Sequence, residues 1–444
     1  MTSGVSGMGY RVSGGARTGL LALGLTSAFG SAAIGQRAPD TRYPIPVFSS
    51  YLILVAAEAR DEVAVVRFGP TLGPDGTPLA RVEETRPVGM NPVDPDGPHG
   101  VGFAPDGRTY FVSTAHGTPN GQLWRYDAAT GRLLGRVELG AFPATLQVSP
   151  DGGTAYVVNF NLHGDMVPSS VSVVALAQTS ATGAGGAGAP GMPGASAPNG
   201  GPDAAAGEEL VEVARIRTCA MPHGSRLSPD GTRHYSACMM DDLLVEIDTR
   251  TLAVSRHFLL TRGKERGMTG APEVLRGEHA AHAGHDMGGH GMAPPAPGDP
   301  ACSPTWAQPS ADGRRVFVAC NRTSDLVEID VASWTMTRRI PAGDGVYNLA
   351  ATRDGTLLVG TNKRGRSVSI LDAATGAELA RIPTLRRVVH GVAISPDDRY
   401  AFVSVEGVGS EPGTLEVIDL AARRRVASAD VGQMAGGVDV RPVP

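Results

Sequence analysis

The chain has 444 residues, of which 41% are hydrophobic and 19% charged, and its formal net charge at pH 7 is −5. This length and composition are ample for a sizeable buried core, and a slightly acidic chain without a basic stripe does not favour nucleic-acid binding. A low aromatic content of 5%, together with 59 glycines and 34 prolines, is typical of turn-rich β-structure with disordered inserts.

The N-terminal segment predicts export. Arg11 and Arg17 precede a small and apolar run over residues 18–33 that ends in Ser-Ala-Ala. The run is too short and too rich in glycine for a comfortable membrane span, and its pattern is typical of a signal peptide. We therefore predict a signal peptide over residues 1–33, a leader over 34–50, and a periplasmic or secreted mature chain without a membrane span.

From residue 51 onward the chain repeats one pattern: a short apolar run, a Pro-Asp-Gly-like turn and a second apolar run. The turns occupy residues 105–107, 150–152, 229–231, 311–313, 353–355 and 396–398. Without two low-complexity segments, the spacing between turns is roughly 40–45 residues in most units, which is typical of four-stranded propeller blades.

The last complete unit shows how such a blade is built. Strands A to D are predicted over residues 391–395, 400–405, 414–418 and 425–431. An aspartate opens the turn after strand C here and in four other units. We predict that each of these forms an Asx-turn, in which the carboxylate accepts backbone N–H groups, and has no chemical role. The five residues are Asp127, Asp248, Asp330, Asp372 and Asp419.

Both ends of the repeat region add strands to the six units. Residues 51–68 predict strands B and C of a further blade, and residues 80–87 predict its strand D. Its missing strand A is predicted over 437–442, which aligns with 391–396. The sequence therefore predicts an all-β, seven-bladed propeller over residues 51–444, closed by the C-terminal strand joining the first blade, so that no sheet edge is left open.

These units resemble the YVTN-type repeats of bacterial seven-bladed propellers, the group that includes YncE-like proteins. Residues 155–159 read AYVVN, a near-copy of that motif, and residues 149–152 read SPDG, as the family pattern expects before it. The resemblance covers about residues 51–444. It implies the fold and not the function, because binding proteins, lactonases and cofactor-bearing oxidoreductases share this architecture.

Two low-complexity segments lengthen the third and fourth units. Residues 178–208 are almost uncharged Gly, Ala, Pro and Ser, which predicts a disordered insert between strands C and D of the third blade. A second disordered insert is predicted over 261–301, between strand D of one blade and strand A of the next.

The second insert concentrates soft metal ligands. Imidazole and thioether groups together suit copper, and imidazole alone would suit zinc or nickel. The alternative is a mobile polar loop in which the histidines have no metal to bind. The candidate ligands are His279, His282, His285, Met287, His290 and Met292.

Strand A of three units carries a histidine at one register, namely His99, His223 and His390. In an up-and-down propeller the D–A and B–C connections share one face, called the top face here, so these histidines are predicted around the top of the central channel. Three imidazoles with an open position suit a metal and a bound water. Structural hydrogen bonding and proton transfer are the alternatives, and a non-covalent haem with an axial histidine is also compatible.

The four cysteines also share registers. Cys238 and Cys320 end strand B of their units, whereas Cys219 and Cys302 precede strand A. Since strands A and B are antiparallel neighbours, we predict disulfides 219–238 and 302–320, each stapling the top of one blade, and export favours them. Thiolate ligation of a soft metal is the alternative.

Three functions fit these features. The leading hypothesis is an exported propeller that binds copper through the His/Met segment and the channel-mouth histidines. The second is a lactonase-like hydrolase, with a channel-mouth histidine as general base near Asp241, Asp242 or Glu406. The third is a platform that binds a periplasmic protein partner. The sequence has no nucleophile elbow, Walker motif or Cys-x-x-Cys-His haem motif, which weakens the case for an enzyme.

Overall fold

A computed structural model describes residues 48–90, 95–116, 121–164, 167–176, 210–272 and 302–443. The predicted signal peptide, the insert at 178–208 and all six His/Met residues of the second insert lie outside these residues. Within the described ranges, no helix combines the length and the apolar character needed to cross a membrane.

The described residues form seven antiparallel sheets, each a blade of a ring with strands A to D, and one of these blades has a fifth strand. Blades 1 to 3 contain β1 (Ser50–Ala57), β2 (Glu62–Gly69), β3 (Leu79–Pro87), β4 (Pro98–Phe103), β5 (Thr109–Thr114), β6 (Gln122–Asp127), β7 (Leu133–Glu138), β8 (Pro143–Val148), β9 (Thr154–Asn159), β10 (Pro168–Leu176) and β11 (Leu210–Ala220). Blades 4 and 5 contain β12 (Pro222–Leu227), β13 (Arg233–Cys238), β14 (Leu243–Asp248), β15 (Ala253–Leu259), β16 (Arg266–Thr269), β17 (Pro304–Pro309), β18 (Arg315–Cys320), β19 (Asp325–Asp330) and β20 (Thr335–Pro341). Blades 6 and 7 contain β21 (Val346–Ala351), β22 (Leu357–Asn362), β23 (Ser367–Asp372), β24 (Glu378–Pro383), β25 (Val388–Ile394), β26 (Tyr400–Glu406), β27 (Gly413–Asp419) and β28 (Arg424–Val431). The last strand is β29 (Ala435–Val443), and one short 3-10 helix, Glu58–Arg60, follows β1.

Blade 1 takes its strands from both ends of the propeller, in the order β29-β1-β2-β3. Tyr51 of β1 lies opposite Pro442 of β29, and its hydroxyl donates a 2.6 Å hydrogen bond to Asp397 Oδ2 of blade 7. Its ring also packs against Phe68 and Tyr400 in the core between these blades. The predicted seven-bladed fold and its closure by the C-terminal strand are confirmed.

The core lies between neighbouring blades, because strands B and C are mostly buried on both faces. Strand β5 is buried at every position, whereas the outermost strand β7 alternates between exposed and partly buried residues. Strands buried on both faces explain the continuous apolar runs of the repeat, and the half-exposed strand D explains its more polar composition.

The aspartates that follow strand C act as predicted. Asp127 Oδ1 accepts hydrogen bonds from the hydroxyl and the backbone N–H of Thr130, both at 2.8 Å. These bonds lower the pKa of Asp127, the hydroxyl having the larger effect. Asp419 accepts a 2.7 Å bond from the backbone N–H of Ala422 in the equivalent turn. The Asx-turn prediction is therefore confirmed at these positions.

The prediction of a disordered insert that begins at residue 261 is wrong for its first part. Residues Arg266–Thr269 form β16, a fifth strand that pairs with β15 on the rim of blade 4. Contacts with blade 5 explain why these residues form a strand, since Glu265 forms a 2.7 Å ion pair with Arg339 and Gly267 packs against Trp334. These tertiary contacts override a composition that favours a loop.

Both predicted disulfides are present, and all four cysteines are paired, so thiolate ligation by them is wrong. One detail differs from the prediction. Cys219 lies in β11, the outer strand of blade 3, while Cys238 ends β13 of blade 4. The 219–238 bond therefore joins two blades, because β11 continues almost to the start of β12. Cys302 and Cys320 are linked at the top of blade 5, as predicted.

Candidate functional site

Strand A of every blade carries one residue at the same register near the top of the channel, and we call these seven residues the upper ring. They are Gly436, His99, Ala144, His223, Thr305, Tyr347 and His390, in blades 1 to 7. The ring of His99 lies 5.4 Å from that of His390 and 6.2 Å from that of His223, between centroids. The three histidines therefore converge, although no two of their blades are adjacent.

Two local features of the repeat direct the upper ring inward. The residue two positions before the ring residue has a positive φ in six blades, which turns the chain sharply into strand A. These residues are Gly97, Phe142, Met221, Ser303, Gly345 and Met434. Hydroxyl groups of the preceding blade then hold the ring backbone, as when Thr361 donates to the carbonyl of His390 at 2.9 Å and Thr145 to that of His223 at 2.6 Å.

On one side of the mouth, a single buried carboxylate holds two imidazoles. Glu58 Oε2 accepts a 2.8 Å hydrogen bond from His99 Nδ1, and its Oε1 accepts a 3.0 Å bond from His116 Nε2. Burial alone would raise the pKa of Glu58, but the bonds from His116 and His99 outweigh it and lower this pKa to about 2. The same hydrogen bond raises the pKa of His116. Glu58 is therefore ionised throughout the neutral range.

Aromatic packing encloses this Glu58 side of the mouth. The ring of Phe142 lies edge-on to the rings of His99, His116 and His163, at 5.7, 5.4 and 5.3 Å. His99 is buried and its Nε2 has no hydrogen-bond partner in the described part of the chain. The His116 side chain, by contrast, is 37% exposed. His116 is thus the imidazole of this pair that a molecule arriving from solvent reaches first.

On the other side of the mouth, His223 is fixed as a neutral tautomer. Its Nδ1 donates to the backbone carbonyl of Thr305 at 3.1 Å, so its Nε2 accepts the hydrogen bond from the Tyr347 hydroxyl at 2.9 Å. Burial, followed by the charge of His99, lowers the pKa of His223 to about 3. Burial and then Lys363 lower the pKa of His390 well below its usual value.

A second register places charged groups around the same mouth. In each blade, the residue just before the upper ring pairs with a residue of strand B, and the next residue along the chain belongs to this second register. In blades 1 to 7 these residues are Glu58, Ala115, Phe160, Met239, Asn321, Lys363 and Glu406. Lys363 Nζ lies 4.3 Å from the centroid of the Tyr347 ring and 3.8 Å from Glu406 Oε1. Sequence reasoning named Glu406 but missed Glu58, which this second register would have revealed.

The other two carboxylates named from the sequence hold the backbone. Asp242 accepts hydrogen bonds from the N–H groups of Cys302 and Ser303 at 3.1 and 2.7 Å, and Asp241 accepts one from Ala220 at 2.6 Å. Both therefore anchor the chain beside the disulfides. Glu406 alone of the three approaches an upper-ring histidine, with Oε1 3.9 Å from His390 Nε2.

The described residues contain no group of three or more His, Cys, Asp or Glu side chains arranged to hold a metal ion. Both nitrogens of His223 are engaged in hydrogen bonds, and Nδ1 of His99 is bound to Glu58. In this conformation the upper ring does not offer three free imidazole nitrogens. Binding of copper, zinc, nickel or haem at these histidines stays a prediction.

No family model matches this chain, and no curated protein matches it. Its resemblance to the YVTN-type family therefore stays a prediction.

Solved structures do match its fold. A protein from Lactobacillus plantarum is 12% identical with a TM-score of 0.58, and the match covers 88% of this chain and 99% of that one. A putative 6-phosphogluconolactonase from Bacteroides uniformis ATCC 8492 is 14% identical with a TM-score of 0.56, covering 88% and 100%. Kuenenia stuttgartiensis hydrazine synthase is 18% identical with a TM-score of 0.53, covering 80% and 98%. At such identities the similarity shows the propeller fold alone.

Proposed function

We propose that this protein hydrolyses lactones, that is, cyclic esters, by general-base chemistry at the top of the channel. The observation that carries the proposal is the Glu58 carboxylate, which orients the imidazoles of His99 and His116 at the mouth. Similar propellers support it, because those from Bacteroides uniformis and Bacteroides fragilis NCTC 9343 are both described as putative 6-phosphogluconolactonases.

His116 is the base in this proposal. Its Nε2–H donates to Glu58, which leaves the lone pair of Nδ1 to accept a proton from water. The resulting hydroxide adds to the lactone carbonyl, the ring C–O bond breaks, and the leaving alkoxide takes the proton back from His116. One lactone and one water give one hydroxy acid. The hydrogen bond to Glu58 raises the pKa of His116, which makes this imidazole a stronger base.

The test is hydrolysis of a γ-lactone by the full chain, monitored by pH-stat titration. The lactone is one that hydrolyses slowly without enzyme, and the assay is run with and without a metal chelator. We expect chelator-insensitive turnover, reduced about 100-fold or more in His116→Asn. His257→Asn is the matched control, because His257 lies on the rim of blade 4 and bonds to the carbonyl of Gly270. Turnover no faster than background, or turnover abolished by the chelator, would refute the proposal.

We propose soft-metal binding as a second function, with copper preferred over zinc or nickel. The convergence of three imidazoles at one end of the channel favours it. The binding groups are the His/Met segment, with His99, His223 and His390 as a further place for the ion, and the segment comprises His279, His282, His285, Met287, His290 and Met292.

Titration of the intact chain and of a variant that lacks residues 278–292 with Cu(I) and Cu(II) distinguishes binding at the His/Met segment from binding at the upper ring. Tight copper in the intact chain alone assigns the ion to the segment, and tight copper in both assigns it to the upper ring. Absence of tight copper from both rejects this function, and a protein-binding platform then becomes the alternative to hydrolysis.

We propose that the protein works in the periplasm or outside the cell, after removal of residues 1–33. The two disulfides support this location, because such bonds persist in oxidising compartments. Mass determination of the mature chain from the extracytoplasmic fraction is the test, and recovery of the intact chain from a reducing compartment would contradict it.

A further inference from the structure

The channel carries a second ring of side chains below the upper ring. Three residues further along strand A lie Asp439, Gly102, Gln147, Arg226, Gln308, Ala350 and Ala393, in blades 1 to 7, and we call these the lower ring. All seven line one cavity of about 370 Å³, which is also lined by His99 and His390 of the upper ring. Three residues of a strand span about 10 Å, so the lower ring lies well inside the channel.

The lower ring is polar on one side and open on the other. Blades 3 to 5 present an amide, a guanidinium and an amide, from Gln147, Arg226 and Gln308. Asp439 of blade 1 lies across the ring, between residues no larger than alanine in blades 2 and 7. The small side chains leave room for a molecule, and the charges give the space a positive and a negative side.

Arg226 is poorly satisfied by the protein. Its Nη1 donates a 3.0 Å hydrogen bond to the carbonyl of Ser225, and its guanidinium lies 4.6 Å from the centroid of the Trp306 ring. Burial lowers the pKa of Arg226 to about 10, and attraction to Asp439 offsets this only in part. A guanidinium has five N–H donors, and most of those of Arg226 make no hydrogen bond to the described residues. The side chain is only partly buried, so these donors are open to a molecule in the channel.

The neighbours of Arg226 also keep polar atoms available. Gln147 Oε1 accepts from the N–H of Leu227 at 2.6 Å, and Gln308 Nε2 donates to the carbonyl of Pro309 at 2.9 Å. Each amide is thereby held in one orientation, with Nε2 of Gln147 and Oε1 of Gln308 free of bonds to the residues described. Asp439 accepts one backbone N–H at each oxygen, from Phe103 and Val440, and retains lone pairs for further donors.

We propose that the lower ring binds a small organic anion that carries hydroxyl groups, that is, a hydroxycarboxylate. Arg226 takes the carboxylate through its fork of N–H donors, a geometry that lysine or an amide cannot supply. Gln147 and Gln308 bind hydroxyl groups beside it, and Asp439 accepts from a hydroxyl on the far side. An anion without hydroxyl groups leaves Asp439 unmatched and is repelled by it. This site does not require catalysis at the channel mouth.

The test is calorimetric titration of the full chain with D-gluconate, with glucose as the neutral probe of similar size and inorganic phosphate as an anion without a polyol chain. We expect gluconate to bind, and we expect the affinity for each of the other two probes to be lower by about tenfold or more. Arg226→Met should weaken gluconate binding about tenfold or more, and Asp439→Asn should weaken its preference over phosphate. Arg250→Met is the matched control, because Arg250 is exposed in a turn after strand C.

A melting curve separates binding from a structural role of Arg226. Because the partly buried guanidinium makes a single hydrogen bond, to the carbonyl of the adjacent Ser225, we expect ligand-free Arg226→Met to melt close to or above the temperature of the wild type. The proposal is overturned if gluconate does not bind in the millimolar range, if phosphate binds as tightly, if Arg226→Met binds gluconate as the wild type does, or if this variant melts clearly lower. None of these measurements depends on lactone turnover.

Discussion

His99 and His223 occupy the same register on two sides of the channel mouth, but their hydrogen-bond partners differ in charge. His99 donates to an ionised carboxylate, Glu58, which a second imidazole shares. His223 lies between a backbone carbonyl and the hydroxyl of Tyr347, and burial keeps it neutral. The repeat decides where a histidine is placed, and the side chains of neighbouring blades decide its protonation.

The difference traces to the residues that the second register supplies. Blade 1 contributes a carboxylate there, whereas blade 6 contributes Lys363. Burial, and then the positive charge of Lys363, disfavour protonation of His390. A cation beside one imidazole and an anion beside another shift their pKa values in opposite directions. The hydrogen bond to Glu58 therefore favours protonation of His116, and the His223 side holds the blades together.

The largest expected effect comes from Glu58→Gln, which should lower kcat/KM for lactone hydrolysis about 100- to 1000-fold, because the amide cannot stabilise a protonated His116. Tyr347→Phe should stay close to the wild type, since it alters only the His223 side. Steady-state kinetics on both variants measures the contrast. Equal losses would show that the two sides do not differ in chemical role.

Acid should destabilise the fold through Glu58. Its pKa is about 2 in the folded protein against 4.5 for a free carboxyl group, so its contribution is present above pH 4.5 and is lost as pH falls toward 2. At 1.36 kcal/mol per unit, this shift corresponds to about 3 kcal/mol. Urea unfolding between pH 2 and 6 should show a steeper fall for the wild type than for Glu58→Gln. Parallel curves would contradict this account.

A smaller loss is expected when the hydroxyl of the His223 side is removed. Tyr347→Phe leaves the buried Nε2 of His223 without a partner, which typically costs about 1–3 kcal/mol. Urea unfolding at pH 7 measures this cost. The control is Thr130→Val, which removes an exposed hydroxyl far from the channel mouth. A Tyr347→Phe variant as stable as the wild type would mean that His223 finds another donor.

The smallest expected effect is that His223, unlike His116, does not titrate near neutral pH. His116 should titrate with a midpoint above 6.5, whereas His223, with a pKa of about 3, should stay neutral from pH 8 down to about pH 4. Histidine NMR signals assigned with single His→Asn variants measure both. A midpoint for His223 near its ordinary value would remove the contrast between the two sides.

The fold was predictable because its signals are local and repeated. Apolar runs, turns such as Pro150-Asp151-Gly152 and the registers of the four cysteines specify the strands, the blade count and both disulfides. The strand β16 was not predictable, because it depends on contacts of Glu265 and Gly267 with blade 5 rather than on its own composition.

The site was predictable in position and not in chemistry. The register placed His99, His223 and His390 around the channel, but hydrogen bonds across blades decide which nitrogen is free. Glu58 belongs to a connection between β1 and β2, far from His99 in sequence. Packing of blade 1 against blade 2 brings the two together, so no pattern within one repeat reveals the pair.

Closure of the ring also sets a condition on how the chain folds. The strand β1 reads SYLILVAA and pairs on one side with β29, which lies almost the whole chain away. Closing so long a loop has an entropic cost and brings its contacts late in folding. Until the nine residues of β29 arrive, β1 presents a bare apolar edge to other chains. A chain delivered N-terminus first therefore passes through an interval in which aggregation competes with completion of blade 1.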